Sequence, residues 1–546
     1  MASSSLTEGI SYPNLVGLSV ALGFSYVLCT AIYRLYFHPL AKFPGPFWAR
    51  ISTFPSWWHT RFGDRHLWLY SLQEKYGPEF RYRPDGVLIN TPSAFKKVFG
   101  PTGNVKKSDY YKGWPRHVNA INTWSATNVD QHARKRRVMN YAFSEAAMRS
   151  AEVFLHSNID RWLELLGQVP KGQDGDWSES LNMCDWMNWL VFDILGDLCF
   201  GKCFDMKESN SDLRHIPEMM VTFLELLHPI CYSPWNWLWV WAKPRGLDRL
   251  IEIASPPAVT NWGNFVATCL ASRTKDQEET ERLEKPEGEA RKDFFYWLFK
   301  AVDPETGEKG YDLHELFGEC EMLTIAGSDT TSVVLTAAFF YLARNPAIQE
   351  KLARELRSTF SSLDEIKTGT TIMSCKYLTA FIQEAMRMTP PVSAEPSRVA
   401  LPGGTTVGGH YIPEGNLVSV GMYCLNYNKD HFPEPFKFRP ERWIAVDRED
   451  YNEGSSPDSV ALAESSFFPF SFGARGCVGK NLAWIEMRLV LAKAVYMFQF
   501  RQDPTNNLGG GEKNGRPGRQ NPDQYQLWDM FVANRKGPIV QLKKRE

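Results

Sequence analysis

Ten residues near the C-terminus, Phe470-Ser471-Phe472-Gly473-Ala474-Arg475-Gly476-Cys477-Val478-Gly479, set three glycines, an arginine and a cysteine just ahead of NLAWIEMRLVLAKAVYMF, whose apolar spacing is helical. Glycine permits backbone approaches that a β-carbon forbids, so this loop is suited to lie tightly against something. Its cysteine is either a structural thiol buried ahead of a helix or a ligand. A phosphate-cradling loop is excluded, because the spacing from Gly473 to Lys480 is wrong and Asn481 stands where Ser or Thr is needed. The 10 cysteines, from Cys29 to Cys477, form no CxxC pair and the histidines show no zinc spacing. A chain of 546 residues needs no disulfide staples, so the thiols read as reduced and cytosolic.

With 43% hydrophobic residues and a formal charge of -1, the chain folds as a globular protein and lacks the basic surplus of a nucleic-acid binder. Between Glu8 and Arg34 no charged residue occurs, and Leu15 to Tyr33 approaches the ~20 residues that cross a bilayer. A signal peptide fits less well, since there is no basic leader and no small-residue cleavage site. Arg34, His38, Lys42 and Arg50 follow the span, which places the body in the cytosol by the positive-inside rule. The expected organisation is a lumenal tail over 1–8, an anchor over 9–33, a basic, proline-rich hinge over 34–50 around Phe43-Pro44-Gly45-Pro46, and one folded domain over 51–546.

From Phe80, FRYRPDGVLIN alternates and turns at Pro84-Asp85-Gly86, the pattern of a β-hairpin. Helical periodicity then dominates, with strand signals again over Thr405 to Ser419 and Leu527 to Leu542. The fold class is therefore mainly α with small β-sheets (α+β), preceded by one transmembrane helix. Lys275 to Lys292 and Asp503 to Gln520 lack any apolar period and read as exposed loops. Asp312 to Asn345 reads as one helix of ~50 Å at 1.5 Å per residue. Its middle, Ala326-Gly327-Ser328-Asp329-Thr330-Thr331, puts poor helix formers and a charge in an apolar helix, a breach of local rules that marks either a kink or a function.

The cysteine loop fits F-x-x-G-x-R-x-C-x-G and resembles the ligand loop of the cytochromes P-450, and Ala326 to Thr330 resembles that family's A-G-x-D-T segment. The resemblance runs over nearly the whole chain. It implies the cytochrome P-450 fold, with haem b bound through the thiolate of Cys477, whose electron donation favours cleavage of an O–O bond. Gly473, Gly476 and Gly479 would then admit the porphyrin, and peptide N–H groups would point at the sulfur. Gly327 and Ala326 would leave room above the iron. Thr330, bonded to a main-chain carbonyl, would open the helix and hydrogen-bond the distal oxygen, and Asp329 would gate protons to it. Phe470 and Arg475 would contact the cofactor. His132 and Arg136, at i and i+4, resemble the family's W-x-x-x-R propionate grip with His in place of Trp, and Arg398 matches a third propionate contact. Glu384 and Arg387 resemble the buried E-x-x-R pair, which Arg442 would complete as a structural cluster.

The same resemblance implies a monooxygenase that inserts one oxygen atom from O2 into an apolar small molecule. The anchor and motif spacing are most similar to microsomal fungal enzymes of secondary metabolism, so the molecule is expected to be a terpenoid, polyketide or alkaloid. Electrons would come from NADPH through a separate flavoprotein reductase, with cytochrome b5 a further donor, since no G-x-G-x-x-G unit occurs here. Arg134, Lys135 and Arg137 are expected to form the docking patch. The location implied is the endoplasmic reticulum membrane, single-pass. Trp235, Trp237, Trp239 and Trp241 either dip into lipid as the family's lid or pack in the core, and Tyr110, Tyr111, Trp114 and Trp124 would close the pocket opposite. A haem-thiolate isomerase or dehydratase and a haem sensor or carrier are the alternatives. The Asp329-Thr330 pair disfavours the first.

Overall fold

The structure, a computed structural model, describes residues 12–116, 119–172, 175–283, 291–447, 450 and 452–546. The tail over 1–8 lies outside these residues. The first helix, α1 (Tyr12–Ile32), has its apolar side chains exposed. Leu15–Phe37 has a mean hydropathy of 2.0 and is 0% buried, so this stretch is long and apolar enough to cross a membrane. Leu313–Arg344 passes the same length test but is 78% buried, which makes it a core helix.

Residues 34–50 are held against the body. Leu40 and Phe43 are buried beside Val87 and Ile89. Arg81 donates to Arg34 O at 2.7 Å, Arg34 to Ile51 O at 2.6 Å and Arg50 to Leu35 O at 2.9 Å. A β-carbon on Gly45 would lie 2.1 Å from Arg81 O, so only glycine fits there.

The expected hairpin forms as β1 (Glu79–Arg83) and β2 (Gly86–Ile89). It extends through β3 (Val105–Lys107), β4 (Arg398–Ala400) and β5 (Leu417–Ser419) into a five-stranded sheet of order β1-β2-β5-β4-β3. β2 and β5 run parallel, whereas β3 and β4 are antiparallel with Lys107 opposite Arg398. Near the C-terminus β6 (Trp528–Met530) and β7 (Val532–Asn534) make a tight hairpin with Phe531 at its apex.

The helical body is arranged about α2 (Val129–Ala142), α3 (Met183–Phe200), α4 (Ile216–Tyr232), α5 (Asn236–Ala242), α6 (Leu313–Arg344), α7 (Lys376–Met388) and α8 (Lys480–Met497). The largest buried cluster runs through α2, α3, α4, α6, α7 and α8. α6 starts on a capping box, in which Asp312 Oδ1 accepts from Glu315 N at 2.7 Å and Glu315 accepts from Asp312 N. Its middle remains helical throughout, so Ala326 to Thr331 is not a break.

One expectation is overturned. Lys275 to Arg282 is not a loop but the end of the helix Pro257–Arg282, and 284–290 lies outside the described residues. That helix end is fixed by polar contacts and so shows no apolar period. Arg273 is buried in a bidentate pair with Asp293 at 2.7 and 2.9 Å, and Gln277 donates to Glu281 at 2.8 Å. Asp503 to Gln520 is turn and coil, as expected.

Candidate active site

The loop before α8 is shaped by its own backbone. Cys477 N donates to Phe470 O at 2.9 Å and Gly476 N to Gly473 O at 2.9 Å, while Ser471 and Gly473 take positive φ of 60° and 70°. A β-carbon on Gly473 would meet Phe99 O at 2.3 Å, so this glycine answers to the turn and to the neighbouring chain. Phe470 is half-buried against Trp484. Cys477 is exposed just ahead of α8, with Arg136 of α2 nearby. Burial within the fold pushes its pKa up, opposed by the Gly479 N–H directed at the sulfur and by Arg136 and Lys480.

Around this loop the chain gathers cations. Arg136 Nη1 donates to Gly476 O at 2.6 Å, tying α2 to the loop. Arg475 Nη1 donates to Ala126 O at 2.7 Å, and its Nη2 is buried without a partner among the described residues. Arg398 is buried, spends Nη1 on Pro396 O, Ser397 O and Tyr111 Oη at 3.2, 3.1 and 3.5 Å, and lies 4.8 Å over the Phe99 ring. His132, buried on α2, is pushed down to about 3 by burial and then by Arg475, Lys107, Arg136 and Arg398, so it is neutral. Arg475 is pushed down to about 10 by burial and then by Arg398.

Sequence reasoning missed Lys107. It is buried, lies over the rings of Tyr111 at 4.2 Å and Trp124 at 5.0 Å, and donates to Trp124 O. Burial, then Arg398 and Arg475, hold its pKa well below the usual lysine value. Nothing in Val105-Lys106-Lys107 distinguishes it, because its role arises from pairing with a strand almost 300 residues later. Among the described residues Lys107, Arg398, Arg475 and Arg136 thus converge with no carboxylate as a hydrogen-bond or ion-pair partner and with one guanidinium nitrogen unsatisfied. Buried charges of one sign persist where an anion completes them. A planar dianion such as haem, with its thiolate ligand at Cys477, suits this donor set.

The second element the sequence singled out is α6. Thr330 Oγ1 donates to Ala326 O at 2.7 Å, as expected of it, and Ala326 is exposed in the middle of an otherwise buried helix, so that face borders open interior space. A β-carbon on Gly327 would lie 2.9 Å from Leu195 Cδ2, so this glycine also packs closely against α3. Asp329 is buried, and its Oδ1 accepts from Arg535 Nη1 at 2.7 Å. Tyr110, Tyr111 and Trp114 are buried and Trp124 half-buried, and the Phe531 ring stands 4.6 Å from Trp124 and 5.5 Å from Trp114. A separate cleft of about 410 Å³ between the five-stranded sheet and the end of α4 contains neither Cys477 nor Thr330.

The charge cluster behind the loop forms as its residues suggested. Arg387 holds Glu384 at 2.8 and 2.9 Å, Arg442 Nε reaches it at 3.3 Å and Trp443 Nε1 at 2.9 Å. Burial opposes ionisation, yet Arg387 and then Arg442 hold the carboxylate down to about 2. By contrast Glu279 and Arg282 are an exposed pair 3.9 Å apart.

The expected docking patch does not form. Arg134 pairs with Glu315, Lys135 is buried between Glu315 at 2.8 Å and Glu319 at 3.5 Å, and Arg137 pairs with Asp303 at 3.2 Å and Glu305 at 2.9 Å. Acids that follow in the chain and fold back onto α2 cancel these charges. The tryptophan-rich segment is not core either. Trp235, Trp237 and Trp241 are 57%, 66% and 54% exposed, whereas Trp239 turns inward and donates to Gly113 O at 3.2 Å.

Comparison with known proteins agrees with this geometry. The Cytochrome P450 family profile matches residues 44–509. The chain is 33% identical to the cytochrome P450 monooxygenase fscF of Fusarium equiseti over 95% of both chains. It is 31% identical to the cytochrome P450 monooxygenase apf7 of Gibberella fujikuroi over 97% of this chain and 98% of that one. It is also 31% identical to the cytochrome P450 monooxygenase AKT7 of Alternaria alternata over 96% of each. On these matches the chain is an oxidoreductase of the monooxygenase type and belongs to the cytochrome P450 family.

Proposed function

We propose that Cys477 is the iron ligand, that Arg475, Arg136, Arg398 and Lys107 hold the propionates of haem b, and that His132 and Phe470 complete the cradle. The observation that carries this reading is the cation cluster without a carboxylate beside the thiol loop. When bound, the haem supplies a thiolate-ligated iron that accepts electrons and activates dioxygen. Thr330 and Asp329 handle the protons: the Thr330 hydroxyl, fixed by Ala326 O, can accept and pass a proton on the cleft side of α6. Trp114, Trp124 and Phe531 exclude water and present aromatic faces, which favours an apolar small molecule. Such a substrate suits a terpenoid, polyketide or alkaloid pathway of a fungus.

Electrons come from NADPH through a separate flavoprotein reductase, with cytochrome b5 a possible second donor. The apolar segment over 9–33 anchors the chain in the endoplasmic reticulum membrane with the body cytosolic, supported by the basic residues that follow it. The exposed Trp235, Trp237 and Trp241 suit the interfacial region of that bilayer. The test is the reduced carbon monoxide spectrum of the purified protein. A red-shifted Soret band that disappears in Cys477→Ser is expected, and a band that survives the substitution overturns the ligand assignment.

A further inference from the structure

Arg535 follows β7 directly, and its guanidinium is buried against the middle of α6. Nη1 donates to Asp329 Oδ1 at 2.7 Å, and Nη2 donates to Ser332 Oγ at 2.6 Å and to Asn188 Oδ1 at 2.6 Å. Three elements therefore converge on one side chain: α6 through Asp329 and Ser332, α3 through Asn188, and the C-terminal hairpin that carries it. Of the other ionisable groups that feel Arg535, Cys184 on α3 and Tyr525 ahead of β6 have their pKa values raised by burial, and Asp185 in the first turn of α3 is a second carboxylate, bonded to Asn182 and likewise raised by burial.

The hairpin is held in turn. Ala533 N donates to Pro391 O at 2.8 Å, Asp529 N to Gly63 O at 2.8 Å, and Asn534 Nδ2 to Glu225 on α4 at 2.9 Å. The strand pair that fixes the guanidinium thus also carries Phe531 into the aromatic group at the cleft.

A carboxylate in a charge-assisted pair is an acceptor and has no proton to give. We propose that Arg535 is a positioning residue of the reaction: it keeps the Asp329 carboxylate ionised and fastened to the hairpin, so that proton delivery beside Thr330 is restrained. This rests on the reading of Asp329 and Thr330 as the proton-handling pair. The electrostatics agree. Burial drives Asp329 towards its neutral, proton-bearing form, and Arg535 is what opposes it.

The experiment uses the full-length haem protein with its flavoprotein reductase and no substrate, comparing wild type, Arg535→Gln, Arg535→Lys and Asp329→Asn. Two quantities are read. The first is a protonated-carboxyl band in the infrared spectrum at neutral pH. The second is the leak NADPH + H+ + O2 → NADP+ + H2O2, in which the nicotinamide loses two electrons and dioxygen takes them with two protons. Arg535→Gln is expected to show a carboxyl band absent from wild type and removed by adding Asp329→Asn, and to raise peroxide release about tenfold, the scale of one order in proton availability. Arg535→Lys keeps the charge and is expected to stay near wild type. If Arg535→Gln does not hold haem, Ser332→Ala with Asn188→Leu strips two of the three guanidinium partners and replaces it, with an expected rise of about threefold. An unchanged leak, or no new carboxyl band, in a variant that keeps its carbon monoxide spectrum overturns the proposal. An Asp329→Asn protein with wild-type leak overturns the underlying reading of Asp329 instead.

Discussion

Lys107 stands directly across the antiparallel pair β3/β4 from Arg398, so a buried lysine faces a buried arginine in the same sheet. Like charges opposed in this way destabilise a sheet unless something anionic lies between or beside them. Lys107→Met should therefore leave the apoprotein folded, or stabilise it slightly, while speeding haem loss about 30-fold, the equivalent of ~2 kcal/mol for one charge-assisted contact. Haem transfer to an acceptor globin measures the rate. Equal rates for wild type and Lys107→Met count against the assignment.

The Glu384 cluster predicts a pH signature. Its folded pKa is depressed to about 2 from the usual carboxylate value, so the stability it contributes is complete above about 4.5 and is lost as pH falls from about 4.5 towards about 2. Thermal melts over that window should slope in wild type and be flatter in Glu384→Gln. At neutral pH the same substitution should cost roughly 3 kcal/mol, because it leaves Arg387 and Arg442 buried without their anion.

Thr330→Ala removes the hydroxyl that bonds Ala326 O. Product per NADPH should fall at least about tenfold, with hydrogen peroxide making up the difference, on the scale of lost general acid–base assistance. The carbon monoxide spectrum should be unchanged, which separates a proton-handling defect from a folding one.

Gly473→Ala tests the loop backbone. Its φ of 70° and the carbonyl of Phe99 2.3 Å from the new β-carbon both oppose it, so a loss of more than ~2 kcal/mol is expected. Gly476→Ala, with a nearest atom at 3.1 Å and no positive φ, should be milder. Haem content and melting temperature of the two variants give the comparison.

The residues that could be read from sequence are those whose meaning is local. The start of the long helix at Asp312, the i, i+3 pair Glu384–Arg387 and the spacing around Cys477 each lie within one turn or one loop. What escaped were relationships made by the fold. Lys107 gained its place from strand register, Asp329 met Arg535 from the far C-terminus, and Gly327 packs against Leu195 of another helix. Arg134, Lys135 and Arg137 look basic in one dimension and are neutralised in three. The helix over Lys275 to Arg282 escaped for the converse reason, since polar bonds hold its surface where the eye seeks an apolar stripe.

Leu40 and Phe43 are sunk into the sheet, Gly45 is pressed against Arg81, and Arg81 reaches back to the carbonyl of Arg34. The chain that leaves α1 is therefore seamed to the body within a few residues, and no slack of free peptide separates the end of that helix from the five-stranded sheet. Replacing Gly45 or Phe43 would pry the seam open and introduce that slack.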